Sequence, residues 1–234
     1  MMPPKEPVVR VVGLTRVYQA DGREVEALRG VDLTVPAGHF VAVRGRSGSG
    51  KTTLLNCIGG LDRPTSGKVY LRGQPLASLS EAELTFLRRE RLGFVFQSFA
   101  LLPTFSAYEN VELPLRIQGL GRAERRERTL RGLTVVGLRR WANHRPYEMS
   151  GGQQQRVVIA RALVTRPDLI LADEPTGELD SETGRRIMAL LQRIVERERI
   201  TLVMATHDPL VLEYASLLYE LRDGQIERVV DRKV

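Results

Sequence analysis

The residue types with the most chemistry in them stand in two glycine-rich turns, far apart in the chain. Gly45-Arg46-Ser47-Gly48-Ser49-Gly50-Lys51-Thr52 fits the phosphate-binding pattern G-x-x-x-x-G-K-[ST]. Glycines there let backbone N–H groups turn inward around phosphate oxygens. A helix that starts at once, through Thr53-Leu54-Leu55, adds the partial positive charge of its N-terminus. Lys51 reaches β- and γ-phosphates, and the Thr52 hydroxyl is a ligand for Mg2+. Ser150-Gly151-Gly152-Gln153 forms the second turn. Ser150 is a good N-cap, Gln153 completes a capping box, and the two glycines leave the helix end bare for a phosphate. One nucleotide needs one such cradle, so two in one chain point to a particular kind of nucleotide machine. Arg44 and Arg46 flank the first turn and either add positive potential or lie solvated.

A pair of acids supplies the other half of the chemistry. Asp168-Leu169-Ile170-Leu171-Ala172-Asp173-Glu174 reads as a buried parallel strand ending in two carboxylates. Ligands bind at that end of strands in open α/β sheets. Asp173 is placed to hold Mg2+ through its water shell, and Glu174 to polarise an attacking water. The plainer alternatives are a glycine turn joining strand to helix and an ordinary acidic helix start. A match across the eight-position pattern weighs against the first, and a phosphate loop's need for an acid weighs against the second.

Elements must bring these residues together. Phe40-Val41-Ala42-Val43 is a short apolar run of buried-strand type before the loop. Val8 to Tyr18, Val25 to Leu28 and Val31 to Val35 read as strands, with turns at Asp21-Gly22 and Pro36-Ala37-Gly38. Val69 to Leu71 adds another. Ser80 with Glu83, and Ser106 with Glu109, mark two further capping-box helix starts. From about residue 98 to 165 the pattern is helical. Strands return at Leu169 to Ala172 and Thr201 to Ala205, with a helix from Ser181 to Glu198 between them. Leu217 to Leu221 and Ile226 to Val230 form a hairpin around Asp223-Gly224. The expected fold is an α/β core with an antiparallel β lobe and a helical lobe (98–165), in one domain over residues 1–234.

With its motifs in this order, the chain resembles the P-loop ATP-binding cassette (ABC) ATPases over nearly all of its length. Tyr18 matches the aromatic that stacks on adenine, and Gly45 to Thr52 the Walker A loop. Gln97 matches the Q-loop glutamine, and Met149-Ser150-Gly151-Gly152-Gln153 the signature motif. Asp173 and Glu174 match the Walker B acid and catalytic glutamate. Leu179-Asp180 matches the D-loop and His207 the switch histidine. Taken singly, Tyr18 reads as strand packing, His207 as a capping or core histidine and Gln97 as an exposed polar residue.

The resemblance implies that Lys51, Gln97, Glu174 and His207 serve hydrolysis, and that Thr52, Gln97 and Asp173 hold Mg2+. It implies that ATP is bound by Tyr18, Gly45, Ser47, Gly48, Ser49, Gly50, Lys51, Thr52 and Thr53. Ser150, Gly151, Gly152, Gln153 and Asp180 belong to the same site, with the signature turn supplied by a second copy that sandwiches two ATPs. Departures are small: Thr52 keeps the hydroxyl of the commoner serine, Met149 keeps the apolar anchor of the usual leucine, and Glu178 is unusual in the D-loop. Gly59-Gly60-Leu61-Asp62-Arg63-Pro64-Thr65-Ser66-Gly67 and Leu101 to Val111 are similar to the branch of lipoprotein-release, macrolide-efflux and cell-division ATPases. That branch implies a membrane permease as partner, docking near Gln97 to Asn110. An importer ATPase or a soluble regulatory ABC protein shares the same motifs.

Composition narrows the setting. A chain of 234 residues has ample length for a core. The single cysteine, Cys57, gives no disulfide framework and reads as a small core residue. No apolar run is long enough to span a bilayer, and Met1 to Pro7 has no apolar signal region. The expected place is the cytoplasm, on the inner face of the membrane through the permease. The formal net charge is +7, and Arg116 to Arg145 holds nine arginines against Glu124 and Glu127, an excess equal to that of the whole chain. The stretch reads either as a solvated, ion-paired helix face or as a surface drawn to anionic lipid or an acidic partner. With only Trp141 for stacking, it is not expected to bind nucleic acid.

Overall fold

The computed structural model describes residues 6–20 and 22–232. Met1 to Lys5, and Asp21 of the expected Asp21-Gly22 turn, lie outside the described residues.

The chain opens with β1 (Val9–Ala20), β2 (Arg23–Val35) and β3 (Phe40–Arg44), followed by α1 (Lys51–Ile58). Then come β4 (Ser66–Leu71), β5 (Gln74–Pro75), α2 (Glu81–Arg91) and β6 (Leu92–Val95). Three helices follow without a strand: α3 (Ala107–Ile117), α4 (Arg122–Val135) and α5 (Gly151–Leu163). The last elements are β7 (Leu169–Asp173), α6 (Ser181–Glu198), β8 (Thr201–Thr206), β9 (Leu217–Arg222) and β10 (Gln225–Asp231).

Two sheets result. One is antiparallel, in the order β2-β1-β4-β5. The other runs β10-β9-β3-β8-β7-β6 and is parallel except for β10. In its central strands both faces are covered. Val41, Val43, Val203 and Leu171 point to one side, where α1 packs through Leu54, Cys57 and Ile58 under the antiparallel sheet. Ala42, Met204 and Ile170 point to the other, against α3, α5 and α6. Successive strand residues face opposite ways, so burial on both sides makes these strands unbroken apolar runs rather than alternating ones.

The runs Val25 to Leu28 and Val31 to Val35, expected as separate strands, are one strand. Leu14 pairs with Val31 and Thr15 with Arg29, so Gly30, at φ 75°, is left as a bulge. A bulge interrupts the sequence pattern without ending the ladder.

The helix starts follow the capping residues. Ser80, Ser106 and Ser150 each accept from the backbone three residues on, and Glu83, Glu109 and Gln153 reach back in return. The basic stretch is partly neutralised within the fold. Glu112, outside that stretch and only 4% exposed, accepts from Arg116 Nε at 2.6 Å and Arg125 Nε at 3.2 Å. Arg128 pairs with Glu124, and Arg131 with Glu198. Four of the nine arginines are thus tied to carboxylates, which favours the ion-paired helix face. No described helix is long and apolar enough to cross a membrane.

Candidate functional site

Strands β3, β8 and β7 lie side by side and end at the same edge. Arg44 pairs with Thr206 and Ala205 with Asp173, so the residues leaving these strands meet: Gly45, His207 and Glu174. The ladder continues one step past the strands, with Gly45 N–H donating to Thr206 O at 3.3 Å and Glu174 N–H to Ala205 O at 2.9 Å. A cleft of about 620 Å3 opens there. It takes Ser47, Gly48, Gly50, Lys51, Thr52 and Thr53 from one side and Gln97, Glu174 and His207 from the other.

The loop that forms its floor needs glycine. Gly50 sits at φ 101°, and a Cβ there would lie 2.3 Å from Ala27 O; a Cβ on Gly45 would lie 2.2 Å from Leu221 O. These approaches pin the loop between β2 and β9. Helix α1 starts on Gly50, which offers no side-chain cap, and its first turn holds no acid. Among the described residues, neither a side-chain cap nor an acid of its own first turn neutralises its first N–H groups and its dipole. Ser49 Oγ, buried in the loop, also has no hydrogen-bond partner among the described residues.

Lys51 is 6% exposed. Its ammonium donates to Gly45 O and Arg46 O at 3.0 and 3.1 Å and lies 3.5 Å from Glu174 Oε1. Glu174 is the hub of the acidic side. Its Oε1 is 3.0 Å from His207 Nδ1, and His207 N–H donates to Oε2 at 3.4 Å. Glu174 holds a left-handed backbone at φ 44°, which costs a non-glycine residue energy and turns the carboxylate out of the strand line. Asp173 stays behind, beneath Thr52. Burial pushes its carboxyl pKa up and the Glu174 charge adds to this; the Thr52 hydroxyl and Lys51 offset only part. Asp173 Oδ1 is buried with no hydrogen-bond partner among the described residues. A buried, partnerless carboxylate oxygen beside a hydroxyl, at the edge of a phosphate-type cleft, fits a hard divalent cation such as Mg2+.

Other sequence-derived candidates stand elsewhere. Ser150 caps α5, and neither it nor Gly151, Gly152 and Gln153 lines the cleft. A Cβ on Gly152 would lie 2.5 Å from Thr183 Cγ2, so that glycine also lets α5 pack on α6, which the reading as a bare phosphate cradle did not anticipate. Asp180 is the N-cap of α6 and accepts from the Glu182 and Thr183 N–H groups. Tyr18 lies outside the cleft lining, its hydroxyl donating to Asp62. Gly45 supports the loop from behind.

The family described as ABC transporter matches residues 28–177. The uncharacterized ABC transporter ATP-binding protein of Methanocaldococcus jannaschii is 47% identical over 225 residues, covering 94% of this chain and 96% of that protein. The chain belongs to the ABC transporter family, as an ATP-binding ATPase. The macrolide export ATP-binding/permease protein of Wolinella succinogenes is 46% identical over 222 residues, covering 95% of this chain but only 34% of that protein. The chain thus spans about a third of that relative's length. A solved dimeric structure of the M. jannaschii cassette, in a post-hydrolysis state bound to ADP and Pi, superposes with a TM-score of 0.88 at 45% identity. It covers 97% of this chain and 99% of that one.

Within this ABC ATPase, several contributors were not legible as motifs. Ala27 lines the cleft from a strand remote in sequence, beside Arg46 of the loop itself. Arg161, on the helix that starts at Ser150, donates to Ala100 O at 2.7 Å and Phe99 O at 3.2 Å. It thereby holds the segment just after Gln97, and an arginine inside the apolar run Val157 to Leu163 is its only sequence signal. Lys51→Ala removes the ammonium aimed at the loop. The expected result is nucleotide affinity lower by roughly ten- to a hundredfold, the worth of charge-assisted hydrogen bonds. Titration of a fluorescent ATP analogue checks it, and unchanged affinity would overturn the assignment.

Proposed function

We propose that this chain, as one domain over residues 1–234, binds and hydrolyses ATP by closing with a second copy around two nucleotides. It drives a membrane permease of the efflux or lipoprotein-release type, from the inner face of the membrane. The observation that carries the reading is the separation of the two cradles. The cleft at Lys51 has a floor and an acidic wall, while the Ser150 helix start lies outside it. A site built from one cradle of each copy uses both.

In that site Thr52, Asp173 and Gln97 hold Mg2+, which neutralises phosphate charge when bound. Lys51 and the α1 N-terminus bind the phosphates. Glu174 takes up the proton of the attacking water, and His207 keeps its carboxylate in place through the Nδ1 contact. Tyr18 stacks on the adenine.

An apolar cleft of about 390 Å3 supports the permease reading. It is lined by Phe94, Phe96, Leu113, Pro114 and Ile117, residues that flank the expected docking segment Gln97 to Asn110, while no residue of that segment lines it. Phe96 is 40% exposed and Ile117 61%, in a protein whose other large apolar side chains are mostly buried. A short amphipathic helix of a permease fits such a groove. Asn110 shapes this region rather than facing a partner. It is fully buried, accepts from Leu102 N–H at 2.9 Å and donates to Leu102, Phe105 and Ser106 carbonyls.

The test is affinity purification of the tagged Glu174→Gln chain from detergent-solubilised native membranes with ATP, followed by mass spectrometry. A permease with few spans and a large external domain is the expected companion. A many-span permease with a solute-binding protein would replace efflux by import. Recovery of no membrane protein would overturn the transport reading.

A further inference from the structure

Arg16 and Tyr18 are two residues apart on β1, so their side chains leave the strand on the same face. They form one unit. The Arg16 guanidinium carbon sits 4.4 Å from the centre of the Tyr18 ring, a cation–π stack that covers one face of the phenol. Asp62, in the turn after α1, ties down both. Its Oδ2 accepts from the Tyr18 hydroxyl and, at 2.9 Å, from Arg16 Nε. Its Oδ1 lies 2.8 Å from a terminal Arg16 nitrogen and accepts from Arg63 N–H, also at 2.8 Å. The Asp62 backbone N–H donates to Asn56 O at the end of α1.

The three side chains therefore close a ring of contacts: fork to carboxylate, carboxylate to phenol, phenol to fork. Arg16 and Asp62 are only 24% and 20% exposed, so the pair is shielded more than a typical surface salt bridge. Partial burial alone would raise the Asp62 carboxyl pKa; the Tyr18 and Arg16 hydrogen bonds outweigh it and hold the group below the usual carboxylate range. Tyr18 pairs across the sheet with Val25, and Ala27, two residues along β2, lines the phosphate cleft. The ring thus stands close to the rim of the cleft.

We propose that Arg16 and Asp62 are positioning residues for the nucleotide base: they hold Tyr18 with one face covered by the guanidinium and the other presented to the purine. This rests on the reading of Tyr18 as the adenine partner. The clamp acts in two ways. Fixing the ring before binding removes the ordering that association otherwise bears. The cation on the far face draws π density from the phenol, which suits it to an electron-rich purine. Stacking reads the face of a base and not its hydrogen-bonding edge, so ATP and GTP gain alike.

The experiment compares the full chain with Tyr18→Ala, Asp62→Asn and Arg16→Gln. Binding of ATP and of inorganic tripolyphosphate, which has the phosphate chain but no base, is measured by displacement of a fluorescent ATP analogue. Tyr18→Ala is expected to weaken ATP binding about tenfold, within the usual range for one base–aromatic stack. Asp62→Asn and Arg16→Gln are expected to weaken it roughly three- to tenfold, with KM raised and kcat at saturation unchanged. Tripolyphosphate binds all four proteins equally. An effect of Tyr18→Ala without one from Asp62→Asn or Arg16→Gln overturns the clamp and leaves the adenine reading standing. No effect of Tyr18→Ala overturns both. Equal loss of ATP and tripolyphosphate binding in Asp62→Asn shows general damage to the loop and also overturns the clamp.

Discussion

Glu174→Gln is expected to bind ATP as the native chain does, to hydrolyse it a hundredfold to ten-thousandfold more slowly, roughly the range for loss of a general base, and to elute as a dimer with ATP and Mg2+. Gln and Glu have nearly the same shape, so the left-handed backbone at φ 44° and the N–H bond to Ala205 O survive. Lys51 keeps its two loop carbonyls, so the phosphate side of the cleft is preserved. What disappears is the negative oxygen 3.0 Å from His207 Nδ1 and 3.5 Å from Lys51 Nζ. Without it, the cleft loses the one carboxylate among its lining residues. If hydrolysis is what loosens the paired cassettes, blocking it holds them together. Size-exclusion chromatography with multi-angle scattering and a phosphate-release assay measure the two effects. Native turnover would remove Glu174 from the base role, and a monomer with ATP and Mg2+ would count against the sandwich.

Much of this was written locally in the chain. The loop from Gly45 to Thr52, the carboxylates of Asp173 and Glu174, and the three serine capping boxes depend on neighbours a few residues away. The strands of the core were legible because burial on both faces leaves no polar interruption. What escaped depends on contacts between segments remote in sequence. Arg29-Gly30 broke the apolar pattern of β2, yet the ladder absorbs it as a bulge. Glu112 has Arg116 one turn on in its own helix, but only the packing of α4 on α3 supplies Arg125 to it. Gly152 read as a bare cradle, whereas the approach of α6 gives it a second reason to lack a side chain. Asp62 sat inside a recognisable turn, but nothing in that turn says it meets a tyrosine from β1. Residues that act through backbone shape are therefore readable early, and residues that act through a remote partner are not.

Asp173→Asn separates stability from chemistry in one residue. In the metal-free protein, burial raises the Asp173 carboxyl pKa and the neighbouring Glu174 charge adds to it, against partial relief from Thr52 and Lys51. A carboxyl whose pKa is higher in the folded state holds its proton more tightly there than in the unfolded chain. Its contribution to stability is thus complete below the ordinary carboxylate value, near pH 4, and is lost as pH rises through the raised folded value. At pH 7 the native chain carries that penalty and the asparagine variant does not. The variant is expected to melt at a higher temperature at neutral pH, with the difference vanishing as pH falls toward about 4. MgATP should then stabilise the native chain more than the variant, because a bound cation relieves the buried charge only where there is one. Mg2+-dependent turnover should fall a hundredfold or more, on the order of other losses of charge stabilisation at a reacting centre. Melting curves across pH, with and without MgATP, follow the first effect, and phosphate release follows the second. A variant less stable than the native chain at pH 7 would contradict the buried-charge account. One that keeps its Mg2+-dependent turnover would take Asp173 out of the metal site.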